Sequence, residues 1–216
     1  MSRRGQGGFS LLEATLALAI GVMVLAGAGQ LLISAHRSWH LQGAALRLQD
    51  DARLALLRMA RDIRQAGMFG CLRLEAIEFE AAAARQAFEQ PVEVGPSSLN
   101  LIVAELPGHT GAPDWTLLTN CHDQATLYPR RPANPDGFMA IPISRYRYYL
   151  NGTSLMFSRR GRPQGLAEHV RAFQVALVNT PQGQRIDLRL TLYEPVLQLE
   201  QQHGLSVALR NPVAGP

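Results

Sequence analysis

The chain has 216 residues, 47% of them hydrophobic, and a formal net charge of +4. Once an apolar N-terminal run is set aside, this leaves one globular domain of moderate size, and nothing suggests a second core. All 21 basic residues are arginine, but no basic run exceeds Arg130-Arg131 or Arg159-Arg160, and motifs that read RNA or DNA are missing, so specific nucleic-acid recognition is not expected.

From Phe9 to Ile33 the only charged residue is Glu13. At about 1.5 Å per residue this run reaches about 37 Å, enough to cross a hydrocarbon core of about 30 Å with some tilt. The polar leader Met1 to Gly8 carries Arg3 and Arg4, which favour a cytoplasmic N-terminus with the rest of the chain outside. Loss of those two arginines would leave +2 in side chains. A secretory signal has its cleavage site after the apolar region, whereas here the cut is expected before it. A carboxylate deep in a membrane helix costs about 2.5 to 3.5 kcal/mol, so Glu13 needs a partner. The alternative is an interfacial anchor whose Glu13 snorkels to the headgroups.

Gly8-Phe9-Ser10-Leu11-Leu12-Glu13 resembles the class III leader of type IV prepilins. That resemblance implies cleavage by a prepilin peptidase between Gly8 and Phe9, N-methylation of Phe9, and a subunit-assembly role for Glu13 at the fifth mature position. Independently, a lone carboxylate in an apolar setting would be neutralised by the Phe9 amine of another subunit, which favours a staggered stack.

Beyond Ile33 the helix can run on, because the first proline is Pro91. Ala45, Leu48, Ala52, Ala55, Leu56, Met59, Ile63 and Ala66 recur at three- and four-residue spacing, while Arg47, Asp50, Asp51, Arg58, Arg61 and Asp62 take mostly other positions. One helix from Phe9 to about Gly67 would be about 88 Å long, with Gly67 and Gly70 as stop signals. Gly27 and Gly29 weaken helix propensity by about 1 kcal/mol each, but melting there is not predicted. Trp39 with His36, Arg37 and His40 resembles a membrane-surface belt. His36 and His40 lack a third ligand, so no metal site is predicted.

Residues 72–91 read as a mixed helical loop over a sheet. Leu99 to Ala104 and Thr116 to Thr119 read as strands, with Cys121 at the end of the second. Pro129 to Gly137 reads as an exposed loop. Tyr146 to Leu150 and Thr153 to Phe157 flank Asn151-Gly152, the preferred pair of a type I′ hairpin turn. Val170, Phe173, Val175 and Leu177 give another strand. Ile186, Leu188, Leu190 and Leu192 alternate with Arg185, Asp187, Arg189 and Thr191, and Leu205 to Leu209 offers a last strand.

The expected fold is α+β: a long N-terminal helix whose second half lies across an antiparallel sheet. The boundaries are a leader at 1–8, a transmembrane helix at 9–33, its amphipathic continuation at 34–67 and a periplasmic globular head at 68–216. The run from Leu48 to Leu56, the run from Ala60 to Cys71 and the ending Val207-Ala208-Leu209-Arg210-Asn211 are similar to PilW-type minor pilins of the type IV pilin fold. The alanine-rich segment and the Pro/Gly-rich middle loops depart from that family. Cys71 and Cys121, on the oxidising side by the topology argument, are predicted to form a disulfide, worth about 4 kcal/mol for a loop of about 50 residues in the chain-entropy model. The alternative is a pair of buried thiols. The resemblance favours the bridge.

By the same resemblance the chain is a minor pilin of the inner membrane, and of the pilus fibre or tip after assembly. Its implied partners are other minor pilins, the major pilin, the prepilin peptidase, the inner-membrane assembly platform and membrane lipid. The competing readings are a J-type pseudopilin of type II secretion and a tip module that contacts a surface or DNA. A tethered periplasmic enzyme is disfavoured, because no nucleophile, base and orienter assemble. Cys121-His122-Asp123 has suitable residue types, but neighbours on an extended segment point apart, and His109, His169 and His203 are isolated. No catalytic residue, cofactor or metal site is predicted.

Overall fold

A computed structural model describes residues 10–105, 112–129 and 137–211, apart from the Ala83 side chain. It divides into two units, residues 1–46 and 47–216. Helix α1, Leu11–Gln65, passes through the boundary. Ser10 caps it: the Ser10 carbonyl accepts from the Ala14 N–H at 3.1 Å, and its Oγ accepts from the Leu12 N–H at 3.3 Å.

In the first unit the helix is exposed from Leu11 to Gln42 and apolar over most of that length. Its most apolar 18-residue window has mean hydropathy 2.3 and no buried residue, so it is long and apolar enough to cross a membrane.

In the second unit, residues 47–65 of α1 lie on a β-structure. The spacing of apolar residues decides which helix face is buried: Leu48, Ala52, Ala55, Leu56, Met59, Ile63 and Ala66 are all buried, joined by Ala60. The helix stops where the sequence supplies glycine. Ala66 bridges to Val103, Gly67 takes φ +76°, and its N–H donates to the Ile102 carbonyl at 3.2 Å. Asn211 Nδ2 donates to the orphan Ala66 carbonyl at 3.1 Å.

The strands form two sheets where one antiparallel sheet was expected. The larger is mixed and holds β1 (Ile77–Phe79), β2 (Val92–Gly95), β3 (Ser98–Ala104), β4 (Trp115–Thr119), β5 (Ala125–Tyr128), β6 (Met139–Asn151), β7 (Ser154–Arg159) and β8 (Arg162–Ala167). Its order is β1-β5-β4-β6-β3-β2, with β7 on β6 and β8 on β7, and β1 pairs with β5 in parallel. The smaller sheet, β11-β10-β9, joins β9 (Val170–Thr180), β10 (Gly183–Glu194) and β11 (Leu199–Ala208). The Val170 N–H donates to the Thr153 carbonyl at 2.8 Å and links the sheets.

The period of two along β3 sorts its side chains. Leu99, Leu101 and Val103 join the core under α1 with Tyr148, Leu155, Phe173, Ile186 and Leu190. Ile102 faces the other way, into a second core with Phe69, Phe88, Leu117, Leu127 and Ile143. The segment read as a mixed helical loop contains a 3-10 turn (Leu74–Ala76), strand β1 and helix α2 (Ala82–Glu89). Phe88 of α2 is buried, with ring centroids 4.2 Å from Phe69 and 5.8 Å from Trp115. The loop expected at Pro129 to Gly137 lies mostly outside the described residues.

The hairpin at Asn151 has a different turn from the one expected. Asn151 pairs with Ser154 in the ladder, so the loop residues are Gly152 and Thr153, and of these Gly152 alone has positive φ, +59°. That is the pattern of a type II′ turn. The type I′ pattern occurs one hairpin later, where Arg159 pairs with Arg162 and both Arg160 (φ 55°) and Gly161 (φ 72°) are left-handed.

Candidate functional site

Of the residues proposed to act in assembly, Gly8 and Phe9 lie outside the described residues. Glu13 stands in the first turn of α1, exposed, beside the positive end of the helix dipole. Thr15 Oγ1 donates to the Leu12 carbonyl at 2.9 Å, and no other acidic residue follows until Asp50.

Farther along, His36 and His40 approach to 3.3 Å between Nε2 atoms, and Trp39, 70% exposed, lies against His36 edge-on at 6.4 Å. Among the described residues no group of three or more His, Cys, Asp and Glu side chains could hold a metal ion.

Cys71 and Cys121 are bonded to each other, with Cα atoms 5.3 Å apart, and both residues are exposed, so they are not the buried thiols of the alternative reading. Cys121 takes φ 58°, in a turn built by its neighbours. Thr119 Oγ1 accepts from the Cys121 N–H at 3.0 Å and donates to the Gln124 carbonyl at 2.9 Å. Asn120 Oδ1 accepts from the N–H groups of His122, Asp123 and Gln124. Asn120 Nδ2 donates to Asp123 Oδ1 at 2.8 Å. In Cys121-His122-Asp123 the sulfur is therefore a bonded staple and the carboxylate a turn anchor.

Two of the buried polar residues are carboxylates, Asp62 and Glu105, and neither is expected from the sequence to be buried. Asp62 was grouped with residues off the apolar stripe, but it is buried, and the Tyr148 hydroxyl donates to its Oδ2 at 2.5 Å. Its spacing from Ala55, Met59 and Ala66 puts it on the stripe itself, and that spacing was the available signal. Burial pushes the Asp62 carboxyl above the ordinary carboxylate range, against the Tyr148 hydrogen bond and the charges of Arg58 and Arg61. Burial, then the Asp62 charge, pushes the Tyr148 phenol well up.

The second group is Glu105, whose side chain is fully buried at the end of β3. Arg160 Nη2 donates to its Oε2, and Arg159 Nε lies 3.1 Å from its Oε1 in an ion pair not aligned as a hydrogen bond. Arg160 Nε also donates to Ser144 Oγ at 3.2 Å. No local pattern marks Glu105, because its partners lie in a hairpin about 55 residues away.

These groups fix how helix and strands meet. Neither places a nucleophile beside a free base. No family model, characterised protein or solved structure matches the chain.

Proposed function

We propose that the chain is a minor pilin of the PilW type, adopting the type IV pilin fold, that joins other minor pilins in the inner membrane and primes polymerisation of the major pilin. The observation that carries this reading is Glu13 in the first turn of an exposed apolar helix, five positions after Gly8 in a prepilin-like junction. A carboxylate so placed is costly in lipid alone and favourable beside a cationic N-terminus, which a staggered neighbour supplies. In this reading the peptidase cuts after Gly8 and methylates Phe9, the head lies in the periplasm, and the disulfide keeps the head intact there.

The test is the yield of pili sheared from cells that lack the chain, compared with cells where it is restored. Near-complete loss reversed on restoration supports the priming role. Unchanged pilus yield together with failure to release secreted enzymes would assign the chain to a type II secretion pseudopilus instead.

A further inference from the structure

Arg58 on α1 and Arg159, Arg160 and Arg162 on the β7–β8 hairpin line one recess of about 580 Å³, together with Phe157, Pro163 and Gln164. Three features of this recess run against local preference.

Arg159 and Arg162 are direct cross-strand partners, an arrangement that is destabilising for like charges. Arg160 occupies a left-handed turn position, φ 55°, which favours asparagine or glycine. The Arg58 guanidinium stacks on Phe157, 4.0 Å from the ring centroid, and its Nε is buried with no hydrogen-bond acceptor among the described residues. Such departures from local rules, gathered in one place, are the mark of a site.

The carboxylates that face these arginines are already engaged: Glu105 with Arg159 and Arg160, and Asp62 with the Tyr148 hydroxyl. Tyr146, edge-on to Phe157 at 5.2 Å, and Tyr148, at 5.1 Å from the same ring, are further ionisable neighbours. Arg162, exposed at the rim, has no acidic partner among the described residues. Asp62 is also paired with Arg61, 3.7 Å away, so with both carboxylates ionised the recess keeps a positive surplus of at least two. A phosphate group carries about −1.5 to −2 charge at neutral pH and presents several oxygens to guanidinium forks, so it matches that surplus in charge and geometry.

We propose that this recess is a binding site for a small phosphate-bearing ligand, either inorganic phosphate or a phosphomonoester whose organic part occupies the remaining volume. The recess lies 45 positions beyond Glu13 along α1 and on the β7–β8 hairpin, and it does not depend on the assembly reading.

The test is calorimetric titration of the full chain in nonionic detergent with inorganic phosphate and with glycerol 3-phosphate, at ionic strength fixed with sodium chloride. Saturable one-to-one binding is expected, weakened tenfold or more in Arg162→Gln, whose exposed side chain the fold does not need, and in Arg58→Gln. Arg171→Gln, on the smaller sheet, should bind as the unaltered chain does. Tighter binding of glycerol 3-phosphate would identify a phosphomonoester as the natural ligand, and equal or weaker binding would identify free phosphate. Absence of saturable binding to either, or equal weakening by Arg171→Gln and Arg162→Gln, would overturn the proposal.

Discussion

The Tyr148 hydroxyl donates to Asp62 Oδ2 at 2.5 Å, joining β6 to α1 across 86 positions of sequence inside the core. A phenol and a carboxylate that satisfy each other in this way specify which turn of the helix lies on which residue of the strand, something apolar contacts alone define loosely.

Tyr148→Phe leaves the Asp62 carboxylate buried without its donor, and the expected loss is about 1 to 3 kcal/mol of head stability. In an Asp62→Leu background the same substitution should cost clearly less, since the unpaired group is gone. Urea unfolding of the four chains measures the coupling, and equal costs in both backgrounds would refute the pairing.

Asp62 also predicts a pH dependence. Its folded pKa is raised, so the folded chain holds the proton more tightly than the unfolded one. Its contribution is therefore complete below the unfolded value of about 3.9 and is lost as pH rises through the folded pKa. Relative to Asp62→Asn, the unaltered chain should gain stability as pH falls from 7 towards 4. A difference between the two that does not vary with pH would count against the assignment.

Cys71→Ser should lower head stability by about 2 to 4 kcal/mol under oxidising conditions and by little in reductant, where the unaltered chain has lost its bridge too. An equal loss with and without reductant would mean that the substitution acts through packing.

Glu13→Ala should leave cleavage after Gly8 largely intact and reduce co-purification with other minor pilins on the order of tenfold, a change of about 1.4 kcal/mol. Recovery of partners at the unaltered level would remove the central argument for assembly through Glu13.

The hairpin register is testable with two alanines. Gly152→Ala forces a Cβ into φ +59° and should cost about 1 kcal/mol or more, whereas Asn151→Ala, in the ladder, should stay within about 0.5 kcal/mol. A larger cost at Asn151 than at Gly152 would restore the Asn-Gly turn.

What the sequence made legible was whatever rests on short-range periodicity. The stripe from Ala45 to Ala66 is buried from Leu48 onward, with Ala45 half-buried, and the alternation from Ile186 to Leu192 is buried as its spacing requires. The pairing of Cys71 with Cys121 was legible because two cysteines allow one intramolecular bridge. Long-range pairing was not legible: β1 and β5 are short, and their parallel register depends on partners 48 residues apart, Ile77 opposite Ala125. The turn at Gly152 was misjudged because Asn-Gly carries the stronger local preference, and the long β6–β7 ladder decides the register instead. Asp62 was hidden by its charge, which places a residue outside unless a partner such as Tyr148 comes from elsewhere in the chain.

The bridge from Cys71 to Cys121 has a mechanical consequence. The 50 steps of chain between those residues could stretch to roughly 170 Å if pulled straight, yet the bridge holds its ends 5.3 Å apart. Tension entering the head from the end of α1 therefore reaches the turn between β4 and β5 through sulfur, and β1, α2, β2, β3 and β4 lie in a closed loop that carries none of the extension. A pull that would unravel a reduced head strand by strand meets, in the oxidised one, a short covalent path from the end of α1 to β5.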